Sequence, residues 1–203
     1  MILNGTNEII TENLILRRFR LGDGAELYHN VGQDQSIYEY ITWSPCCTLE
    51  SAETFVNENV QRYQTDEHYY SWAVTLHGSI IGYIGVYDID KGMLLGEIGF
   101  TIASKWAGRG YASEAVAALL YYMFEEVGFH GMSAWHDTKN MASGRVLQKN
   151  GMIIEGIARK AVAQQDGTYD DKVYYGILKS DYDRRKQELP PTGEPFVDGF
   201  RCF

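Results

Sequence analysis

The chain has 203 residues, 45% of them hydrophobic, and a formal net charge of −9. Those values predict one globular domain with a substantial core and argue against disorder. They also exclude a general nucleic-acid-binding surface, which needs clustered Lys and Arg to neutralise phosphates.

No apolar run approaches the roughly 18 residues that would span a membrane. The N-terminal MILNGTNEII has neither a basic flank nor a long apolar stretch, so no secretory signal is expected. Cys46 and Cys47 are adjacent and Cys202 is remote, which gives no C-x-x-C pattern. Reduced cysteines, a cytoplasmic location and no metal centre are the expectations. The acidic balance is compatible with a basic partner such as an amine or a cationic peptide.

In chain order, Glu12 to Phe19 reads as a strand, and Glu50 to Tyr63 as a helix with Ala52, Phe55, Val56 and Val60 on one side. SWAVTL, IIGYIGVYDI and LLGEIGFTIA follow, separated only by HGS and DKG. Connections that short force antiparallel hairpins. Next come Ala107, Gly108, Gly110 and Ala112, set around Arg109 directly before a second helical pattern. Val116, Leu119, Leu120, Met123, Phe124 and Val127 give that helix, Ala112 to Val127, one buried face, and Gly128 stops it.

GMSAWHD is a short strand, and NMASGRVLQKNG a helix with Asn140 near its cap and Asn150-Gly151 at its stop. MIIEGIARKAVAQ, the turn QDG and YDDKVYYGIL form a last hairpin. Residues 1–188 therefore read as one domain, and 189–203, with three prolines and three phenylalanines, as a C-terminal tail.

Glycines that feed a helix N-terminus mark an anion site, because unpaired N–H groups and the helix dipole both favour negative charge. Gly108 and Gly110 admit close backbone approach and Ser113 adds a hydroxyl, so a phosphate or pyrophosphate is expected. The chain has no G-x-x-x-x-G-K-[ST] run. Gly108 to Ser113 is G-x-G-x-x-S, but the strand before it belongs to an antiparallel meander and not to the βαβ unit of a dinucleotide fold.

The order of antiparallel strands, glycine loop, helix, strand, helix and hairpin resembles the GNAT superfamily of acyl-CoA-dependent N-acyltransferases. The family signature Q/R-x-x-G-x-G/A corresponds to Lys105-Trp106-Ala107-Gly108-Arg109-Gly110, with Lys105 in place of Gln or Arg. ENLILRRF, IIGYIGV, GEIGF, GRGYASEA and Asn140-x-x-Ser143 leading to Lys149-Asn150-Gly151-Met152 resemble the branch that acetylates ribosomal-protein N-termini. The resemblance runs from Glu12 to about Leu178 and leaves the tail uncovered.

That likeness implies an α/β fold of the α+β type: a mixed, mostly antiparallel sheet with splayed central strands and helices on both faces. It implies that the anion is the coenzyme A pyrophosphate, held by N–H groups of Gly108, Arg109, Gly110, Tyr111, Ala112 and Ser113, with the Arg109 side chain adding charge. Phe100, Thr101 and Ile102 would supply the strand edge for the pantetheine, and Asn140 would hold coenzyme and cap its helix. By alternation Ile98, Phe100 and Ile102 share one face and Glu97, Gly99 and Thr101 the other.

A base must take the amine proton. Glu97 is the first candidate, with Glu155 and His136 as competitors. Leu147 stands where many GNAT enzymes carry a tyrosine acid, so Ser143 is the expected hydrogen-bond donor to the sulfur. Trp43 and Tyr63 are candidates for the acceptor groove, and Asp170 and Asp171 for contact with a cationic acceptor. The expected activity is acetyl transfer from acetyl-CoA to a protein or peptide α-amino group, by direct attack in a ternary complex, in a monomer or homodimer. A small polyamine or aminoglycoside as acceptor, and a silent acyl-CoA-binding module, are the alternatives.

Overall fold

Short turns fix the centre of the sheet. In the computed structural model, which describes residues 5–40, 46–164, 166–188 and 201–202, β3 (Tyr70–Leu76) and β4 (Ser79–Asp90) are joined by His77-Gly78. Their φ values are 50° and 86°. Two consecutive positive φ values make the two-residue turn whose twist matches that of paired strands. Leu76 faces Ser79 across it. β5 (Leu95–Ile102) continues the meander along β4.

The N-terminal strand pattern resolves into a hairpin of β1 (Ile9–Ile10) and β2 (Leu14–Arg17), shorter than the Glu12 to Phe19 expected. β6 (Gly131–Asp137), β7 (Ile153–Ala163) and β8 (Tyr169–Leu178) form the other half. With β9 (Arg201–Cys202) beside β1, the order is β7-β8-β6-β5-β4-β3-β2-β1-β9. Every pairing is antiparallel except β5 with β6, which is parallel. A helical crossover between those two strands requires this.

The parallel pair is the point on which the site depends. Its rungs run only from Leu95↔Gly131 to Ile98↔Ala134. Beyond them β5 stays bonded to β4 as far as Gly82↔Ile102, and β6 to β8 as far as Asp137↔Lys172. The sheet therefore forks between β5 and β6, each strand leaving with its outer neighbour.

Helices cover both faces. On one side α1 (Asp23–Leu27) and α2 (Leu49–Thr65) pack a core of Phe19, Leu27, Val31, Ala52, Val56, Ala73, Ile80 and Tyr83. α2 starts on a reciprocal cap, with Thr48 and Ser51 side chains each accepting the other's backbone N–H at 3.0 Å. On the other side α3 (Tyr111–Tyr121) buries Val116, Leu119 and Leu120 against Ile84, Ile98 and Met132. α3 begins one residue before the expected start, and Tyr122–Val127 widens into a π-turn. The widening leaves Tyr122, Met123, Phe124 and Val127 all buried, and the Tyr122 hydroxyl donates to the Gly5 carbonyl at 2.6 Å. Gly128, at φ 86°, ends the segment.

α4 (Met141–Lys149) follows β6, and α5 (Lys179–Glu188) follows β8. Among the described residues no helix is long and apolar enough to cross a membrane. Trp43 and residues 189–200 and 203 lie outside the described residues.

Candidate active site

A cleft of about 650 Å³ opens where β5 leaves β6. Its walls are the end of β5 at Phe100, Thr101 and Ile102, the loop through Gly108 and Gly110, and the first turn of α3 at Tyr111, Ala112 and Ser113. α4 contributes Ser143, Arg145, Val146 and Lys149, with Asn140 just before it, and Ser36, Ile37 and Tyr40 close one end. The α3 end is built to be open. Gly108 and Gly110 have φ of 74° and 91°, a conformation that disfavours any side chain, and no protein atom lies within 4 Å of where a Cβ would sit.

Gly110 is the N-cap of α3 and makes no side-chain cap, so the first-turn N–H groups have no side-chain acceptor. α2 and α4 do not share this feature. The Asn140 side chain accepts the Ser143 N–H at 3.1 Å and closes the start of α4, the cap read from the sequence. An anion in the cleft thus meets one uncapped helix start, supplemented by the cations of Arg145 and Lys149. Ser113 is buried, and its hydroxyl oxygen accepts from Asn150 Nδ2 at 3.1 Å. That leaves its own proton to be donated into the cleft.

Several expectations are corrected. The Arg109 side chain is exposed and does not line the cleft; Arg145 and Lys149, unmarked in the sequence reading, do. Their i, i+4 spacing on the helix that follows the fork was the available signal. Lys105 turns away, donating to Asn30 Oδ1 at 2.9 Å with its ammonium 3.9 Å from the Trp106 ring centroid. Tyr63 lines neither this cleft nor the groove beside α2: its hydroxyl accepts from Phe19 N at 3.2 Å and donates to the Ser71 carbonyl at 2.8 Å. Asp170 is taken up by Lys139 at 2.7 Å and Gln164 at 2.8 Å, and Asp171 by the Lys160 N–H at 2.9 Å.

Among the three base candidates the geometry discriminates. His136 is buried, with Nδ1 2.6 Å from the Asp137 carbonyl and Nε2 3.3 Å from the Tyr175 hydroxyl. Gly144 of α4 packs directly on its ring. It is a packing residue between sheet and helix. Glu155 lies exposed on edge strand β7, its carboxylate over Gly176, and β8 and β6 separate it from the fork.

Glu97 sits one rung short of the last β5–β6 pair, facing Ser133 on β6 and Tyr87 on β4. Its Oε1 accepts the Trp135 Nε1–H at 2.9 Å. Burial raises its pKa above the ordinary carboxylate value, against the lowering effects of the Trp135 hydrogen bond and the Lys172 charge; Asp88 adds to the rise. Glu97 does not line the 650 Å³ cleft. Its cross-strand neighbour Tyr87 lines a second groove, of about 560 Å³, bordered by Glu50, Phe55, Glu58 and Arg62 of α2 and by Tyr69. Ser143 does line the first cleft. Leu147 is fully buried in the α3-side core, so no hydroxyl reaches the cleft from that position.

Three comparisons place this arrangement among known proteins. The family described as Acetyltransferase (GNAT) domain matches residues 13–153. YnaD, an uncharacterized N-acetyltransferase of Bacillus subtilis, is 31% identical over 86% of this chain and 98% of its own length. A GNAT-family acetyltransferase structure from Bacillus anthracis superposes with a TM-score of 0.75 at 29% identity, covering 85% of this chain and 99% of that one. The [ribosomal protein uS5]-alanine N-acetyltransferase of Escherichia coli is more distant, 27% identical over 49% of this chain and 59% of its own.

Proposed function

The chain belongs to the GNAT acetyltransferase family and is an acetyl-CoA-dependent N-acetyltransferase, and from that premise we propose that its acceptor is the α-amino group of a protein or peptide. The observation that carries this reading is the pair Ser143 in the cleft and Leu147 buried in the core. The branch that acetylates protein N-termini also has serine at the first position and lacks the tyrosine acid. The likeness to the uS5-alanine enzyme supports the same choice.

When bound, the coenzyme supplies an acetyl thioester activated for transfer to nitrogen. The residues of this chain then have separate tasks. N–H groups of Gly108 to Ser113 hold the pyrophosphate, and Arg145 and Lys149 add charge. Main-chain groups at Phe100, Thr101 and Ile102 align the pantetheine, and an N–H there polarises the carbonyl. Asn140 holds the coenzyme beside the start of α4, and Ser143 hydrogen-bonds the sulfur as it leaves. The amine arrives on the α2 side of the sheet, where Glu97 takes its proton directly or through water. Catalysis occurs in the cytoplasm, in the domain read from the sequence as residues 1–188, to whose sheet β9 adds an edge strand beside β1.

One observation favours a second reading. Glu50 and Glu58 border the groove beside Tyr87, which suits a polyamine or aminoglycoside. A single experiment separates the two. Short peptides with free N-termini, the same peptides blocked, and spermidine are each incubated with acetyl-CoA, and products are located by tandem mass spectrometry. Acetyl on the α-nitrogen of the free peptides alone is the expected result. Acetyl found only on spermidine, or only on lysine side chains, contradicts it.

A further inference from the structure

Among the described residues, one side-chain hydrogen bond spans the fork between β5 and β6, and it ends on Glu97. Backbone pairing stops at Ile98↔Ala134, and Trp135 is the first β6 residue beyond it. Its indole N–H reaches back across the opening to Glu97 Oε1, 2.9 Å away. The outer face of the indole carries a cation: Lys172 Nζ of β8 lies 3.9 Å from the Trp135 ring centroid and 4.8 Å from that of Tyr174. Among the described residues, no hydrogen-bond donor reaches Glu97 Oε2.

We propose that Trp135, backed by Lys172, is the positioning residue for the base, fixing Oε1 so that Oε2 faces the incoming amine across the fork. This rests on the reading of Glu97 as that base. Carboxylates rotate freely about their terminal bond, and a half-buried one beside an opening has several poses of similar energy. A charge-assisted N–H bond selects one of them. The indole gives direction without a formal charge, so it does not compete with the substrate ammonium for the carboxylate. Lys172 is drawn to the ring face by the quadrupole and places its charge behind the indole and not in the path of the amine.

The groups facing Glu97 are few. Tyr87 and Asp88 come from β4, Ser133 and Trp135 from β6, and Lys172 from β8. Asp88 disfavours the ionised carboxylate, and Trp135 and Lys172 favour it. Removing either of the last two moves the Glu97 titration to higher pH, and removing the indole N–H also frees the rotamer.

The test uses the full-length protein with carbon-13-labelled glutamate, the Glu97 carboxyl signal being assigned by its loss in Glu97→Gln. Trp135→Phe keeps a ring for Lys172 and deletes the N–H. The expected result is an upward shift of about half a pH unit or more in the Glu97 midpoint. kcat with free-N-terminal peptides should fall about 10-fold at unchanged KM for acetyl-CoA. Within a Glu97→Gln background, Trp135→Phe should cost nothing further. An unmoved midpoint in a folded Trp135→Phe protein, or an equal rate loss with and without Glu97, overturns the proposal.

Should Trp135→Phe not fold, Lys172→Met carries the test through the rate: a fall in kcat that disappears in the Glu97→Gln background supports it, and an unchanged kcat or an equal fall in both backgrounds refutes it. An unchanged rate in Glu97→Gln, with the Trp135 coupling still seen by NMR, would instead remove the role of Glu97 as base.

Discussion

Gly110→Asp is expected to abolish useful coenzyme binding while leaving a folded protein. The carboxylate would stand at the open start of α3, among N–H groups that have no side-chain acceptor of their own. It would satisfy them itself and repel the pyrophosphate, for a loss in affinity of about 100-fold, or about 2.7 kcal/mol. The cost to folding is smaller. Gly110 has φ 91°, so any side chain there is strained by about 1–2 kcal/mol, but a Cβ meets no neighbour within 4 Å. A negative charge at a helix start returns about 0.3–1 kcal/mol of that. Titration calorimetry with coenzyme A, beside Gly110→Ala as the uncharged control, separates the two contributions. Alanine shares the strain, so the difference between the variants reports the charge.

The second large effect belongs to Glu97→Gln. Glu97 does not line the coenzyme cleft, so affinity for acetyl-CoA should be unchanged while kcat falls about 100-fold, the range general-base removal commonly costs. The pH dependence carries a sign that can be worked out. Burial raises the carboxyl above its ordinary value, so the wild-type rate should climb with pH along a limb lying above the usual carboxylate range, and the Gln variant should lack that limb. Stability moves the other way. With a folded-state pKa above the unfolded one, the folded protein binds the proton more tightly, and stability is lost as pH rises between the two values. Gln cannot ionise, so Glu97→Gln should be at least as stable as wild type at neutral pH. A rate loss accompanied by a gain in melting temperature would identify a group kept for chemistry.

Much of this arrangement was legible from residue order alone, and the reason is local. The β3–β4 turn needs two positive φ values, and His77-Gly78 supplies them within two positions. Gly108 and Gly110 before a periodic apolar face announce an open helix start at the range of a single turn. Asn140 three residues before Ser143 announces a cap. What escaped the sequence lacked such a signal. α5 buries no residue and offers the core little more than Tyr182, whose ring centroid lies 5.1 Å from that of Phe124; it is held also by Lys179 and Lys186 pairing with Glu125 and by Arg185 donating to the Lys149 carbonyl at 2.6 Å. The π-turn at Tyr122–Val127 presents the same apolar spacing as an α-helix to anyone counting residues.

Trp135 and Glu97 are 38 positions apart, and only the register of β5 on β6 brings them together. Arg109 shows the opposite error. Its place inside the glycine loop suggested charge in the cleft, yet the backbone that the glycines shape turns its side chain outward. The cations that do line the cleft, Arg145 and Lys149, come from α4, a separate helix that follows β6.

The most direct test of the whole arrangement is a crystal structure of the protein with acetyl-CoA bound. The expected result has pyrophosphate oxygens within about 3 Å of N–H groups in the first turn of α3 and the acyl end between β5 and β6, beside Glu97. Pyrophosphate bound away from α3, or an acyl group on the far side of β5 from Glu97, would contradict it.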